Sequence, residues 1–136
     1  MEIQPYLFFE GRCEEALEFY KTHLGAKITM LMRFKEAPDP SMISPGSENK
    51  IMHASFTVGP STVSASDGKC SGTTKMDGFA LTLYVATSAD AQRLFTILSQ
   101  NGEVTMPLAK TFYSPSFGML KDQFGLHWMV MVPPAK

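Results

Sequence analysis

The sequence predicts an α+β fold built from two tandem βαβββ modules that form a curved mixed sheet around a cleft. Three observations carry this. Two amphipathic helical patterns, at residues 12–26 and 87–102, each follow one apolar run of strand type and precede three further strand-like segments. The two halves overlay without gaps at an offset of 77, which sets Tyr6-Leu7-Phe8 on Leu83-Tyr84-Val85, Leu17 on Leu94 and Gly25 on Gly102. Between them "GKCSGTTKMDG", residues 68–78, is small and polar, as a boundary should be. A βαβββ unit covers one apolar sheet face with its single helix and leaves the other free, so two units side by side enclose a cleft. The organisation expected is one domain: module one over 1–67, a linker over 68–78 and module two over 79–136.

The elements follow in order. "IQPYLFFEG" is an apolar and aromatic strand closed by Glu10-Gly11. In "RCEEALEFYKTHLGA", Cys13, Ala16, Leu17, Tyr20 and Leu24 recur at helical steps, Glu14 and Glu15 suit the positive end of the helix, and Gly25 stops it. "KITMLMRF" is a strand. Residues 35–50, with three prolines and no periodicity, form a long loop or lid. "IMHASFTVG" alternates, with Met52, Ala54, Phe56 and Val58 opposite His53, Ser55 and Thr57. "STVSASD" repeats the pattern, with Val63 and Ala65 opposite Thr62, Ser64 and Ser66, after a Gly59-Pro60 turn. Beyond the linker, "FALTLYVA" is a strand, and "TSADAQRLFTILSQNG" is a helix with Thr87 and Asp90 at capping-box spacing and an Asn-Gly stop. "EVTMPLAK" is a strand, "FYSPSFGMLKD" a turn-rich aromatic hairpin, and "GLHWMVMV" the last strand, launched by a "DQFG" turn in which Asp122 caps amides and Gly125 takes a conformation closed to other residues.

Composition narrows the function. With 136 residues, 44% hydrophobic and 18% charged, the chain is globular, and 12 basic against 13 acidic side chains draw it to neither nucleic acid nor an anionic membrane. A small organic molecule is the expected partner. Cys13 and Cys70 have no paired or zinc-type spacing, which suits a reduced, cytoplasmic protein. No apolar stretch has the length of a spanning helix or a secretory signal.

With the apolar faces turned to the helices, the opposite faces line the cleft. They carry His53, Ser55 and Thr57, then Ser64 and Ser66, then Thr82 and Tyr84, and finally His127, Met129 and Met131. Hydroxyls and imidazoles orient a ligand, while Met and Tyr supply apolar contact. His53, at mid-strand, is the candidate base or metal ligand. His127 sits near the rim. His23 reads as a solvent-facing cation at a helix end. Two histidines with Asp67 or Asp122 would make a workable nonstandard metal set, although no diagnostic spacing joins them. Phe112, Tyr113 and Phe117 cap the cleft, pack a dimer interface, or fill the core.

The opening "PYLFFEGRCEEALEFYKTHLGA" and the closing "FGMLKDQFGLHW" resemble the PhnB-like branch of the glyoxalase/bleomycin-resistance, or vicinal oxygen chelate, superfamily, often labelled 3-demethylubiquinone 3-methyltransferase-like. The resemblance spans nearly the whole chain. It implies paired βαβββ modules and homodimers. In metal-dependent members the ligands are typically His or Gln and Glu on the first and last strands of each module, and the matching positions here lie near Pro5, Val63 or Ser64, Ala80 and Met129. Gln4 is one residue out of phase with the first. The usual metal set is therefore missing, and no cofactor is expected. Glycine-rich cofactor turns are also missing: "FFEGRCEE" holds one glycine and "YVATSADA" none.

The leading expectation is a small-molecule-binding protein of this fold that lacks the metal set. One alternative is a metal-dependent lyase or oxygenase-type enzyme using a nonstandard site around His53, with a divalent ion. The other is an assembly subunit with a vestigial cleft.

Overall fold

The computed structural model describes residues 1–39, 41, 43 and 45–134. The order of elements is β1 (Tyr6–Phe8), α1 (Cys13–Leu24), β2 (Lys27–Arg33), a 3-10 turn (Phe34–Glu36), β3 (Ile51–Val58), β4 (Ser61–Ser66), β5 (Leu81–Tyr84), α2 (Ser88–Leu98), β6 (Glu103–Ala109), β7 (Phe117–Lys121) and β8 (His127–Met131). This is βαβββ written twice. The strands pair as two four-stranded sheets ordered β1-β4-β3-β2 and β5-β8-β7-β6. Each sheet is mixed, because β1/β4 and β5/β8 run parallel and the other pairs antiparallel. The compact units are Met1–Thr74 and Lys75–Lys136, so the division falls inside the polar 68–78 segment. The predicted 35–50 loop lies in part outside the described residues, at Pro40, Met42 and Ser44; its first residues close the 3-10 turn.

In module one, Leu7, Ala54, Phe56, Val63 and Ala65 are buried on one side of the sheet, and α1 buries Cys13, Ala16, Leu17 and Tyr20. The Tyr20 ring stacks on Phe56 at 6.0 Å between centroids. Burying one such side chain contributes about 1.5–3 kcal/mol, so this interior accounts for much of what holds α1 in place. Gly25 ends the helix in the left-handed conformation, φ 67°, which a side chain would strain. His23 packs on Phe19, with ring centroids 4.6 Å apart, rather than standing free in solvent.

Module two follows the same plan with Trp128, Val130 and Leu120 buried with Ala91, Leu94, Phe95 and Leu98 of α2. The Thr87 hydroxyl caps α2 by accepting from the Asp90 amide at 3.1 Å, as its spacing predicts. The expected Asn-Gly stop needs correcting. The helix ends at Leu98, the left-handed residue is Asn101 (φ 58°), and Gly102 is required because a Cβ there would run into the Lys121 carbonyl. Of the aromatic trio, only Phe117 is core; Tyr113 meets it edge-on at 5.5 Å and Phe112 is fully exposed.

The gap-free overlay also slips by one residue at the first strand. Leu7 pairs with Ala65, and its counterpart by register is Leu83, paired with Val130, whereas Tyr84 is exposed. One position of slip exchanges the two faces of a strand.

Two buried aspartates tie these elements together. Asp67, just past β4, accepts from the amides of Gly11 (2.9 Å) and Cys13 (2.8 Å) through Oδ1 and from Ile51 (2.7 Å) through Oδ2. The start of α1 has no side-chain cap of its own, and Asp67 supplies one from across the module. Asp122 accepts from the amides of Phe124 (2.9 Å) and Leu126 (3.0 Å) and from the Trp128 indole (2.9 Å), with Gly125 at φ 92° completing the turn. The sequence reading of that turn holds.

Removing the Asp67 carboxylate leaves three amides, two of them fully buried, without that acceptor. Asp67→Ala is expected to cost about 3–5 kcal/mol in urea denaturation. Asp67→Asn, which sets an NH2 group against one of those amides, should cost about 2 kcal/mol or more. An unchanged urea midpoint in both variants would refute the role given to this residue.

Candidate functional site

In module one the face turned away from α1 is set by register. Tyr6 of β1 lies beside Ser64 of β4, Ser64 beside Ser55 of β3, and Ser55 beside Met30 of β2. Phe8 lies beside Ser66, and Met32 beside His53. Four of the residues expected to contact ligand, His53, Ser55, Ser64 and Ser66, therefore share one face. Ser55 and Ser64 hydrogen-bond each other at 3.2 Å, and Ser66 accepts from the Gly68 amide at 3.0 Å.

The same face holds residues that the sequence reading missed. The Tyr6 hydroxyl lies 3.0 Å from His53 Nδ1, and the Tyr6 ring is 5.0 Å from Phe8 and 5.5 Å from His53 between centroids. Tyr6, Phe8 and Met30 are exposed. Every residue from Tyr6 to Phe9 is apolar or aromatic, so alternation could not show which side faces out. The adjacent β4 pattern could have, through its parallel pairing with β1.

In module two, Thr82, Met129, Met119 and Met106 form one row across the sheet, and Tyr84, Met131 and Phe117 a second. His127 stands beside Lys121. Thr82, Tyr84, His127 and Met129 accordingly share the face opposite Trp128 and Val130. The Thr82 hydroxyl donates to Met129 Sδ at 3.8 Å, and His127 Nε2 lies 3.4 Å from Asp77 Oδ1. What module one builds from rings and hydroxyls, module two builds largely from thioethers.

The nonstandard metal set weighed from the sequence does not assemble around Asp67 or Asp122, whose oxygens are taken by amides and an indole. Among the described residues, no three His, Cys, Asp or Glu side chains converge in a way that could hold a metal ion. At the position matching the superfamily's usual ligand, Ser64 is turned to Ser55. Gln4, out of phase in the sequence, hydrogen-bonds Glu2 at 2.7 Å on the surface.

A mixed four-stranded sheet with one helix on one face, occurring twice in tandem, is the glyoxalase/bleomycin-resistance fold. A solved enzyme of the glyoxalase/bleomycin resistance protein/dioxygenase family from Burkholderia phytofirmans has the same fold, with a TM-score of 0.59 at 14% identity over 96% of this chain and 95% of that one. Within that fold the chain belongs to the family described as 3-demethylubiquinone-9 3-methyltransferase, whose pattern matches residues 1–131. It is 31% identical to Protein YjdN of Escherichia coli over 97% of this chain and 95% of that protein. It is similar to the crystal structure of protein PA1353 from Pseudomonas aeruginosa, with a TM-score of 0.87, 38% identity and 99% of each chain covered. It is also similar to the PhnB protein of Bacillus cereus, a putative 3-demethylubiquinone-9 3-methyltransferase, with a TM-score of 0.82 and 28% identity over 97% and 99% of the chains.

The two thiols differ sharply. Cys13 is buried under α1, and burial, reinforced by the Asp67 and Glu14 charges, pushes its thiol far above the ordinary range. Cys70 is only half-buried. Because the thiolate is the reactive form, an aromatic disulfide reagent should modify Cys70 alone in the folded protein, and Cys13 only after denaturant is added. Rapid modification of both thiols without denaturant would contradict the burial of Cys13.

Proposed function

We propose that this protein binds a small organic molecule on the open faces of its sheets, without a resident metal ion, as a cytoplasmic homodimer. The observation that carries this reading is the open face of module one. There Tyr6, Phe8 and Met30 stand exposed around His53 and Ser55, with Ser64 and Ser66 buried on the same face. Apolar surface of this kind, interspersed with a few convergent polar groups, is what a ligand site is made of. Two free cysteines suit a reducing compartment. The edge strands β2 and β6, with Leu31 and Val104 exposed, leave apolar surface for a second copy to cover.

Methyl transfer, as in the family's description, is less well supported. A nucleotide-type cofactor site usually has a glycine-rich turn between strand and helix, and "FFEGRCEE" holds one glycine and "YVATSADA" none. A second reading, an enzyme using His53 as its base, draws on the Tyr6–His53 hydrogen bond, which orients the imidazole.

Purified protein is expected to carry well under one equivalent of metal by elemental analysis, and a screen of small organic compounds should contain some that raise its Tm by several degrees. Stoichiometric metal that is lost in His53→Ala would establish the enzyme reading instead. No stabilisation by any compound class would leave the fold as an assembly module with a vestigial site. Sedimentation should give twice the mass of the chain.

A further inference from the structure

We propose that the open face of module one recognises a planar aromatic compound bearing a carbonyl-type acceptor oxygen, and that Tyr6 sets the tautomer in which His53 donates to that oxygen. This rests on the reading of that face as a ligand surface and names the ligand class.

The ring arrangement supplies the aromatic half. Tyr6 and Phe8 are two residues apart on β1, so both project to the open side, where they are 41% and 53% exposed. Their planes are inclined by 36°, and those of Tyr6 and His53 by 33°. With centroids 5.0 and 5.5 Å apart, Tyr6 packs partly over Phe8 and partly over His53, and the exposed faces and edges of Tyr6 and Phe8 remain for a ligand, on a strand held by its pairing to β4. An aromatic ligand gains from stacking or edge contact with these rings, whereas a puckered aliphatic ring gains only area.

The hydrogen bonding supplies the other half. A phenol O–H is a stronger donor than a neutral imidazole N–H, so in the 3.0 Å contact Tyr6 donates and His53 Nδ1 accepts. The proton of the neutral ring then sits on Nε2. Tyr6 is the hydrogen-bond partner of His53 among the described residues, which leaves Nε2–H for an acceptor from outside. The neighbouring serines are already engaged, Ser55 with Ser64 and Ser66 with Gly68. A ketone, quinone or amide oxygen on the aromatic ligand fits this donor; an ammonium group does not.

The test uses the full-length protein and three probes: 2-acetylnaphthalene, 2-ethylnaphthalene, which keeps the shape without the oxygen, and methyl cyclohexyl ketone, which keeps the oxygen without the aromatic plane. Titration followed by NMR should show the aromatic ketone binding roughly three- to tenfold more tightly than either control. His53→Leu should bring the ketone down to the level of the hydrocarbon, and Tyr6→Phe, which keeps the ring and only frees the tautomer, should weaken the ketone by a smaller factor that still exceeds its effect on the hydrocarbon. Long-range proton–nitrogen spectra should show His53 protonated at Nε2 in the parent protein and as a mixture of tautomers in Tyr6→Phe. Phe8→Leu should weaken both naphthalenes and spare the aliphatic ketone. Equal binding of the naphthalenes, equal loss of both in Tyr6→Phe, or a His53 protonated at Nδ1 would overturn the proposal. Compounds outside this class that stabilise the chain while all three probes fail would refute the ligand class and leave the binding reading intact. Failure of every compound would remove both.

Discussion

Three backbone amides from three segments converge on one carboxylate, and module one depends on that convergence. Asp67 lies just past β4, yet its oxygens hold the turn after β1, the start of α1 and the start of β3. A carboxylate buried with so many donors has its hydrogen bonding satisfied and its charge solvated by amide dipoles, whereas the same group without them would be costly to bury. The consequence reaches the open face. Tyr6 and Phe8 end where the Asp67-held turn begins, and His53 is two residues beyond the Ile51 amide. Asp67 thus anchors the backbone beside the strands that carry the three rings, from a side chain that takes no part in that face.

Module two reaches the same topology through different local chemistry. Its helix is capped from within by Thr87, while that of module one is capped from a distance by Asp67. Its buried aspartate, Asp122, clamps a single turn and the Trp128 indole rather than three separate segments. Gly25 provides a left-handed helix stop, but Gly102 provides clearance for a carbonyl and leaves the left-handed conformation to Asn101. Two modules can thus share a fold while matching residues do unlike work, and an overlay by position pairs glycines that are not equivalent.

Where one face of a strand was polar, the sequence showed its orientation: β8 alternates throughout and β3 from His53 to Thr57, while Met52 and Val58, assigned to the helix side, are only partly covered; His53, Ser55, His127 and Met129 stand on the side away from the helices. Where both faces were apolar it did not. The run from Tyr6 to Phe9 hid two exposed rings, because burial of Leu7 and exposure of Tyr6 depend on which helix covers the sheet and not on local pattern. Asp67 was equally opaque. Read alone it offered only a carboxylate for a nonstandard metal set, since its partners are 16, 54 and 56 residues away in the chain. The bulges that shift register in β2 and β6 left no legible trace either.

The open faces differ in a way that follows from their side chains. Tyr6, Phe8 and His53 have few rotatable bonds and are linked by ring contacts and a hydrogen bond, so their geometry is largely set before anything binds. Met106, Met119, Met129 and Met131 have three flexible torsions each beyond the backbone and a polarizable sulfur, so their surface reshapes at low cost. A preorganised face discriminates by misfit, because a wrong ligand leaves a donor unpaired or a ring uncovered. A thioether face adapts, which extends the range of shapes it can contact at some loss of selectivity. The two modules thus present open faces of opposite character: in module one the polar groups are few and fixed, and in module two the thioethers can follow whatever surface meets them.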